Sequence, residues 1–69
     1  MRAPLRDLAG EELVPFAVVE VFYRGSWHRG RVIEVFRRRV FCQVILYRRR
    51  GWADTWRRPA QLRVVDAGR

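Results

Sequence analysis

The chain has no lysine, a single cysteine and a single histidine, and each scarcity excludes a class of protein. Cys42 has no partner for an intramolecular disulfide, so the fold is not a disulfide-stapled secreted module. With His28 as the only histidine, the chain cannot assemble a structural zinc site. Cys42 falls within an apolar alternation, where a buried and unreactive thiol is the usual outcome. We therefore expect no metal, no cofactor and a reducing environment.

Long apolar runs are also missing. The longest one, residues 13–19, is far shorter than the roughly 18 residues that a membrane-spanning helix needs. Arg2, Arg6 and Asp7 interrupt the region where a signal peptide would be apolar, so we expect neither a signal peptide nor a membrane partner. A cytoplasmic or nucleoid-associated location is the corresponding expectation.

What the chain has in excess is arginine. Its 69 residues include 15 arginines against seven acids, a net charge of +8, and 49% of the residues are hydrophobic. That apolar fraction is too high for a disordered basic tail. A chain of this length forms one domain and buries only about 60% of the surface of its unfolded form. The composition predicts a small, folded, strongly basic domain.

Charge and turn residues divide the chain into three parts. Residues 1–15 carry two prolines and three acids and form an N-terminal arm, loosely ordered or lying against the body, in which Leu5, Leu8 and Leu13 could line one side of a short helical turn. Residues 16–66 form the body, and 67–69 a C-terminal tail. Within residues 16–65 there are twelve arginines and three acids, so 12 − 3 gives a charge of +9.

From residue 16 onward the hydrophobic period is two, and β-branched and aromatic residues are dense, which predicts strands. We expect five strands, with a 3₁₀ turn at residues 59–61 before the last; the strands are 17–23, 27–36, 40–47, 52–57 and 62–65. Gly30 indicates a bulge or sharp bend in the second strand. Strands this short bury one face most economically as a small closed barrel. The predicted inward residues are Val19, Val21, Val32, Val40, Cys42, Val44, Leu46 and Leu62.

The segments VEVFYRGSWHRGRVIEV and CQVILYRRRGWADTW, followed by Leu62, resemble SH3-like barrels of the Tudor and Agenet class. The resemblance covers about residues 17–63 and implies a five-stranded SH3-like barrel. It also implies an aromatic cage for methylated side chains, formed by Phe22, His28, Tyr47 and Trp52. His28 stands where the family usually has a phenyl-type ring, and residues 48–50 are arginines where it commonly has acids. Three arginines repel a cation by about 1 kcal/mol each at ~4 Å even in water, which disfavours the family's usual ligand.

A weaker resemblance, to plasmid-type dihydrofolate reductases, rests on residues 27–32 alone, and their substrate motif is not matched by residues 53–56. The chain has no carboxylate pair, glycine-rich phosphate loop or nucleophile with a base at a recognisable spacing. We therefore expect a protein that is not an enzyme.

Arginines interleaved with exposed rings are typical of nucleic-acid binding, because guanidinium groups grip phosphates and rings stack on bases. An up-and-down arrangement brings the turns after the first and third strands to the same end of the sheet. The predicted binding residues, for DNA or RNA with low sequence specificity, are Arg24, Trp27, His28, Arg29, Arg31, Tyr47, Arg48, Arg49, Arg50 and Trp52. Residues 37–39 form a second arginine turn at the other end, and Glu20 and Glu34 are expected to pair with arginines on neighbouring strands.

A protein-interaction module is the alternative function. The aromatic cleft would then bind an acidic or extended peptide or a methylated side chain, or the domain would be a subunit of a larger assembly. The protein is expected to be a monomer or a weak homo-oligomer, since a barrel this small leaves residues such as Val18, Phe41 or Ile45 exposed.

Overall fold

The computed structural model describes residues 4–46 and 51–66, which form one antiparallel sheet of five strands. The strands are β1 (Val18–Tyr23), β2 (Ser26–Val35), β3 (Val40–Leu46), β4 (Gly51–Arg57) and β5 (Leu62–Asp66), with a 3₁₀ turn at Pro59–Gln61. The predictions of an all-β chain, of five strands and of the 3₁₀ turn are confirmed. Each predicted strand end lies within one residue of the observed one, because alternation and turn residues mark these boundaries in the sequence.

The sheet is open, so the predicted closure into a barrel is wrong. Its strand order is β4-β3-β2-β1-β5, and β4 and β5 are its two edges. The chain turns immediately after β4 because Pro59 has no N–H to continue a ladder and has the φ angle that a 3₁₀ turn requires. β5 then pairs with β1, from Val21 opposite Leu62 onward, rather than with β4.

The open sheet is nevertheless strongly curled. In a flat sheet β4 and β5 would lie about 19 Å apart, because four spacings of ~4.8 Å between neighbouring strands separate them. Only four residues, 58–61, join them, and three of these are in the 3₁₀ turn, which rises only ~2 Å per residue. Arg57 on β4 also reaches across the open side, and its Nε donates to the Phe22 carbonyl of β1 at 2.9 Å. A side chain thus bridges strands that make no backbone ladder with each other.

The concave face of the sheet carries the hydrophobic core. Seven of the eight predicted inward residues are fully buried, and the eighth, Leu46, is half-buried and packs against them. Two further core residues were missing from the prediction: Leu13, which precedes the strands, and Ala17, which has the same alternation as Val19 and Val21 in the predicted strand 17–23 but was not included. Both belong to the same buried cluster as the strand residues.

Gly30 is not at a bulge, which was one of the two predictions for it; the other, a sharp bend, stays a prediction. Gly30 pairs regularly with Val19 on β1 and Val44 on β3. A Cβ atom at Gly30 would collide with the backbone carbonyl oxygen of Gln43, so the residue permits a close approach of β2 and β3. The ladder between β2 and β3 shifts register between Val32 and Glu34 instead, where Ile33 is the extra residue.

The N-terminal residues 4–15 lie against the sheet. The helical turn expected for the three leucines is not formed; Arg6 and Glu12 make an antiparallel bridge instead, and Leu8 is exposed. The buried Asp7 carboxylate accepts the backbone N–H groups of Ala9, Glu11 and, on β5, Val64, at 2.9, 2.8 and 2.6 Å. This carboxylate fastens the arm to the edge of β5.

Candidate functional site

Strand alternation assigns the predicted binding residues to two faces of the sheet. Val21 is fully buried and pairs with His28, whereas the next pair along the ladder, Phe22 and Trp27, points outward. In the ladder between β3 and β4, Ile45 pairs with Trp52. This pair is one step from the buried Val44, so it also points outward. The outer, convex face is therefore where exposed rings and strand arginines meet.

The outer-face patch, as we name it, consists of Arg29, Arg31, Ile45 and Trp52. Arg29 lies one strand from Ile45 and two strands from Trp52 in the same row, as the pairings of Gly30 with Val44 and of Ile45 with Trp52 show. Trp52 is 67% exposed, and both arginines are exposed. Within residues 4–46 and 51–66, no ion pair involves either arginine. The patch combines an exposed indole with two exposed guanidinium groups, and Glu20, which lies opposite Arg29 on β1, is ion-paired with Arg63.

Trp27 also lies on the outer face, but the protein's own side chains cover it. The Arg63 guanidinium lies over its ring at 3.9 Å from the centroid, and Phe22 meets it edge-on at 5.4 Å. Arg63 is in turn paired with Glu20 at 3.2 Å, which confirms the predicted pairing for Glu20. Trp27 is therefore engaged in a packing contact that borders the patch.

His28 points to the opposite face from the patch. Its Nε2 lies 3.0 Å from the Ser26 hydroxyl, and its ring meets Tyr23 edge-on at 6.1 Å. Arg24 and Gly25 form the two-residue turn between β1 and β2, with φ angles of 50° and 84°. The Arg24 guanidinium lies 5.3 Å from the centroid of the Tyr23 ring. The structure thus separates His28 and Arg24 from Arg29, Arg31 and Trp52.

The alternative aromatic cage is not assembled by the residues that the structure describes. Phe22 and Trp52 face outward on β1 and β4, about 14 Å apart at three strand spacings, whereas His28 faces inward. The fourth member, Tyr47, lies outside the described residues, as do the predicted binding residues Arg48, Arg49 and Arg50.

A second group of rings and arginines, which we name the Trp56 cluster, was not among the predicted binding residues. It consists of Phe36, Arg39, Phe41 and Trp56. Both phenyl rings lie 4.9 Å from the indole, and the Arg39 guanidinium lies 4.0 Å from its centroid. Trp52 and Trp56 are four positions apart on one strand, so alternation alone places them on the same face, a signal that the sequence does contain.

Beside the Trp56 cluster is an open depression in which no described lining residue carries a carboxylate. Its described lining residues are Arg38, Arg39, Trp56, Arg57, Arg58 and Gln61. Arg57 is held in place, because its Nη1 donates to the Thr55 hydroxyl at 3.0 Å and to the Trp56 carbonyl at 2.6 Å. The depression gathers four arginines around one exposed indole.

Cys42 is buried, as expected, and its thiol donates to the Thr55 carbonyl at 3.6 Å. Burial raises the pKa of the Cys42 thiol from 9.0 to about 11, partly offset by the positive charge of Arg57. The thiolate is the reactive form, so the side chain is unsuited to nucleophilic chemistry at neutral pH. Among the described residues, no three His, Cys, Asp or Glu side chains come together as metal ligands.

The raised pKa predicts slow labelling of Cys42 and a loss of stability in alkali. At about pH 8 a thiol of pKa 11 has roughly a hundredth of the thiolate of a thiol of pKa 9. An aromatic disulfide reagent should therefore label the native protein at least a hundredfold more slowly than the denatured protein.

The free energy of unfolding should depend on pH in alkali, because the pKa of Cys42 is higher in the folded than in the unfolded protein. The contribution of the buried thiol is complete below pH 9.0 and is lost as the pH rises towards 11, by up to about 3 kcal/mol.

Urea unfolding of the wild type and of Cys42→Ala across this pH range measures the alkaline effect. The alanine variant is less stable at neutral pH, and the difference between the two proteins should shrink as the pH rises towards 11. A difference that does not change with pH would contradict the raised pKa.

No family model, curated protein or solved structure matches this chain significantly. No helix formed by residues 4–46 or 51–66 has the length and apolarity to cross a membrane.

Proposed function

We propose that the protein is a non-enzymatic domain that binds nucleic acid at the outer-face patch, through arginine–phosphate contacts and base stacking, with low sequence specificity. The supporting observation is the row that joins Arg29 to Trp52 through Ile45, with an indole 67% exposed and guanidinium groups without an ion-pair partner among the described residues. Large aromatic rings are normally buried when they serve only the fold. An exposed ring beside exposed arginines suits a base whose phosphate lies nearby.

Single-stranded nucleic acid is the form that the patch favours. Stacking on Trp52 requires a base that is not already stacked within a duplex. In the described residues there is no recognition helix to read a major groove. DNA and RNA both present the required phosphates and bases, and a cytoplasmic or nucleoid location would give access to them.

An SH3-like assignment belongs to the same proposal. The strand order β4-β3-β2-β1-β5, the strong curl and the 3₁₀ turn before β5 support it. The Arg57 bridge to β1 supports it as well, because it draws the open side of the sheet together.

The proposal predicts that binding weakens as salt is added. With one phosphate contact each from Arg29 and Arg31, the slope of log affinity against log salt for a single strand is about −1.4, so affinity should fall about sevenfold between about 50 and 200 mM salt. Fluorescence anisotropy with labelled oligothymidylate and oligouridylate measures the slope. A flat salt response, or no binding at low salt, would overturn the proposal.

Variants of the patch separate its two kinds of contact. The double variant Arg29→Gln with Arg31→Gln should reduce the slope of log affinity against log salt by about 1.4. Trp52→Ala should weaken binding about tenfold without changing that slope. The matched control is Arg6→Gln with Arg37→Gln, which removes the same charge from exposed positions outside the patch. Equal effects of the control pair and the patch pair would indicate attraction by net charge alone.

The edge of β4 supports the alternative function, a protein-interaction module. The edge of β5 is covered by the arm, through Val64 to Asp7 and through the Leu62 carbonyl to the Leu8 N–H. In the described residues no strand pairs with the outer edge of β4, so an extended peptide could add there as a further strand. Chemical-shift mapping with an oligonucleotide and with an acidic peptide distinguishes the two functions: if the indole signals of Trp52 and Trp56 respond only to the peptide, the alternative is correct.

A further inference from the structure

We propose that the Trp56 cluster and its arginine-lined depression are a second contact for the same nucleic-acid strand, which lies along the outer face of β4 from Trp52 to Trp56. This inference rests on the proposed function, and it adds a site, a direction and a minimum length of ligand.

The first support is the way in which the indole of Trp56 is presented. Phe36 and Phe41 pack against it at interplanar angles of 59° and 52°, so the ring is held on two sides. Phe36 and Trp56 nevertheless stay 40% and 38% exposed. Three rings that bury each other only in part form a rigid support for the Arg39 guanidinium, so little entropy is lost when a base stacks on that guanidinium.

The second support is the position of Arg39. Its guanidinium lies 4.0 Å from the Trp56 centroid, so one face of the planar group is used by the indole. The side chain as a whole is exposed. A supported guanidinium plane can take a base on its free face while its edge N–H groups bind a phosphate. Arg39 on Trp56 therefore offers both of the contacts that one nucleotide needs.

The third support is the charge of the depression. Among the described residues, four guanidinium groups and no Asp or Glu line it. Like charges gathered in one depression repel one another, and a bound phosphate relieves that repulsion. Arg57 is fixed by its hydrogen bonds to Phe22, Thr55 and Trp56, so part of the positive field is positioned before any ligand arrives.

The spacing of the two tryptophans gives the direction and length. Trp52 and Trp56 face the same side of β4, four residues apart, which is about 13 Å at ~3.3 Å per residue. At about 3.4 Å per stacked nucleotide, this distance corresponds to about four nucleotides. Asp54 lies midway on the same face, opposite Gln43, so a strand that reaches both rings passes over its carboxylate.

The inference is tested by measuring, with fluorescence anisotropy at low salt, how tightly the wild type and its variants bind thymidylate trimers and octamers. The octamer should bind the wild type at least tenfold more tightly than the trimer. Arg38→Gln with Arg39→Gln should weaken octamer binding about tenfold and leave trimer binding at the patch nearly unchanged. Asp54→Asn should strengthen octamer binding severalfold, whereas Glu11→Gln, the same charge change on the exposed part of the arm, should have a smaller effect.

The outcomes separate the two proposals. If the octamer responds to the patch variants, but the Arg38 and Arg39 pair behaves like the Arg6 and Arg37 control, the second contact is wrong and the proposed function stands. If Asp54→Asn is no different from Glu11→Gln, the path along β4 is wrong. If neither oligonucleotide binds, both proposals fail. Tryptophan fluorescence of each variant verifies that the protein remains folded.

Discussion

Replacing Gly30 with alanine is expected to leave the protein largely unfolded at room temperature. A Cβ atom at this position would collide with the backbone carbonyl oxygen of Gln43 and lie 3.0 Å from the Val21 Cγ2 atom. Gln43 is held within the ladder between β2 and β3, so it cannot move without breaking pairs on both sides. We expect a loss of about 3 kcal/mol or more, at the upper end of overpacking effects.

A loss of that size is decisive in a chain this short. At about 0.05–0.15 kcal/mol per residue, a domain of 69 residues is stable by only about 3–10 kcal/mol. Urea unfolding followed by tryptophan fluorescence should therefore show either no native baseline for Gly30→Ala or a midpoint lowered by about 2–3 M. A midpoint equal to that of the wild type would show that β2 and β3 do not approach each other as closely as the structure has them.

Gly25→Ala is the matched control for the effect of glycine as such. Gly25 has a φ of 84°, but a Cβ atom there would meet no atom within 4 Å. Its replacement should cost only about 1 kcal/mol, from backbone strain in the turn. The contrast between the two variants isolates the steric effect at Gly30 from the conformational effect at Gly25.

The strands and the core were predictable because both follow from a period of two. Residues such as Val19, Val21, Val40 and Val44 alternate with polar or aromatic ones, and a one-residue slip would expose the whole set. Barrel closure was not predictable in this way. It depends on whether two edge strands pair, and the turn at Pro59–Gln61 directs β5 to β1 instead.

The candidate site was predicted less well than the fold, because residues were grouped by the end of the sheet and not by its face. Trp27 and His28 are neighbours in sequence but lie on opposite faces, and Trp27 is already covered by Arg63. The stacking of Arg39 on Trp56 depends on the conformation of the turn between β2 and β3, for which no short pattern exists. Arg29 and Trp52 do lie on one face, a position that strand alternation predicts, whereas their role in binding stays a proposal.

The arm illustrates a long-range contact that sequence patterns do not reveal. Val64 and Asp7 are 57 residues apart, and one carboxylate at the arm satisfies a backbone N–H of β5. An acidic residue among prolines and glycines is more often solvated, and only the structure shows that Asp7 is buried. The arm consequently carries Leu13 into the core and is part of the fold.

Removing the Asp7 carboxylate is expected to destabilise the whole protein. In Asp7→Ala, the N–H groups of Ala9, Glu11 and Val64 lose their acceptor, and buried donors left without a partner cost about 1–3 kcal/mol each when water cannot reach them. Because the arm can partly detach and rehydrate these groups, we expect a total loss of about 3 kcal/mol, including part of the burial of Leu13. Urea unfolding measures this loss, and amide hydrogen exchange should show that the Val64 N–H becomes less protected.

Two further variants separate the hydrogen bonds from the charge. Asp7→Asn keeps the shape and one acceptor oxygen but places an NH₂ group against a donor, so it should lose at least half as much stability as the alanine variant. Glu12→Gln removes the same charge from an exposed position in the arm and should change stability by less than about 0.5 kcal/mol. If Asp7→Asn proved as stable as the wild type, the carboxylate would not be what fastens the arm, and the burial of Leu13 alone would have to hold residues 4–15 against the sheet.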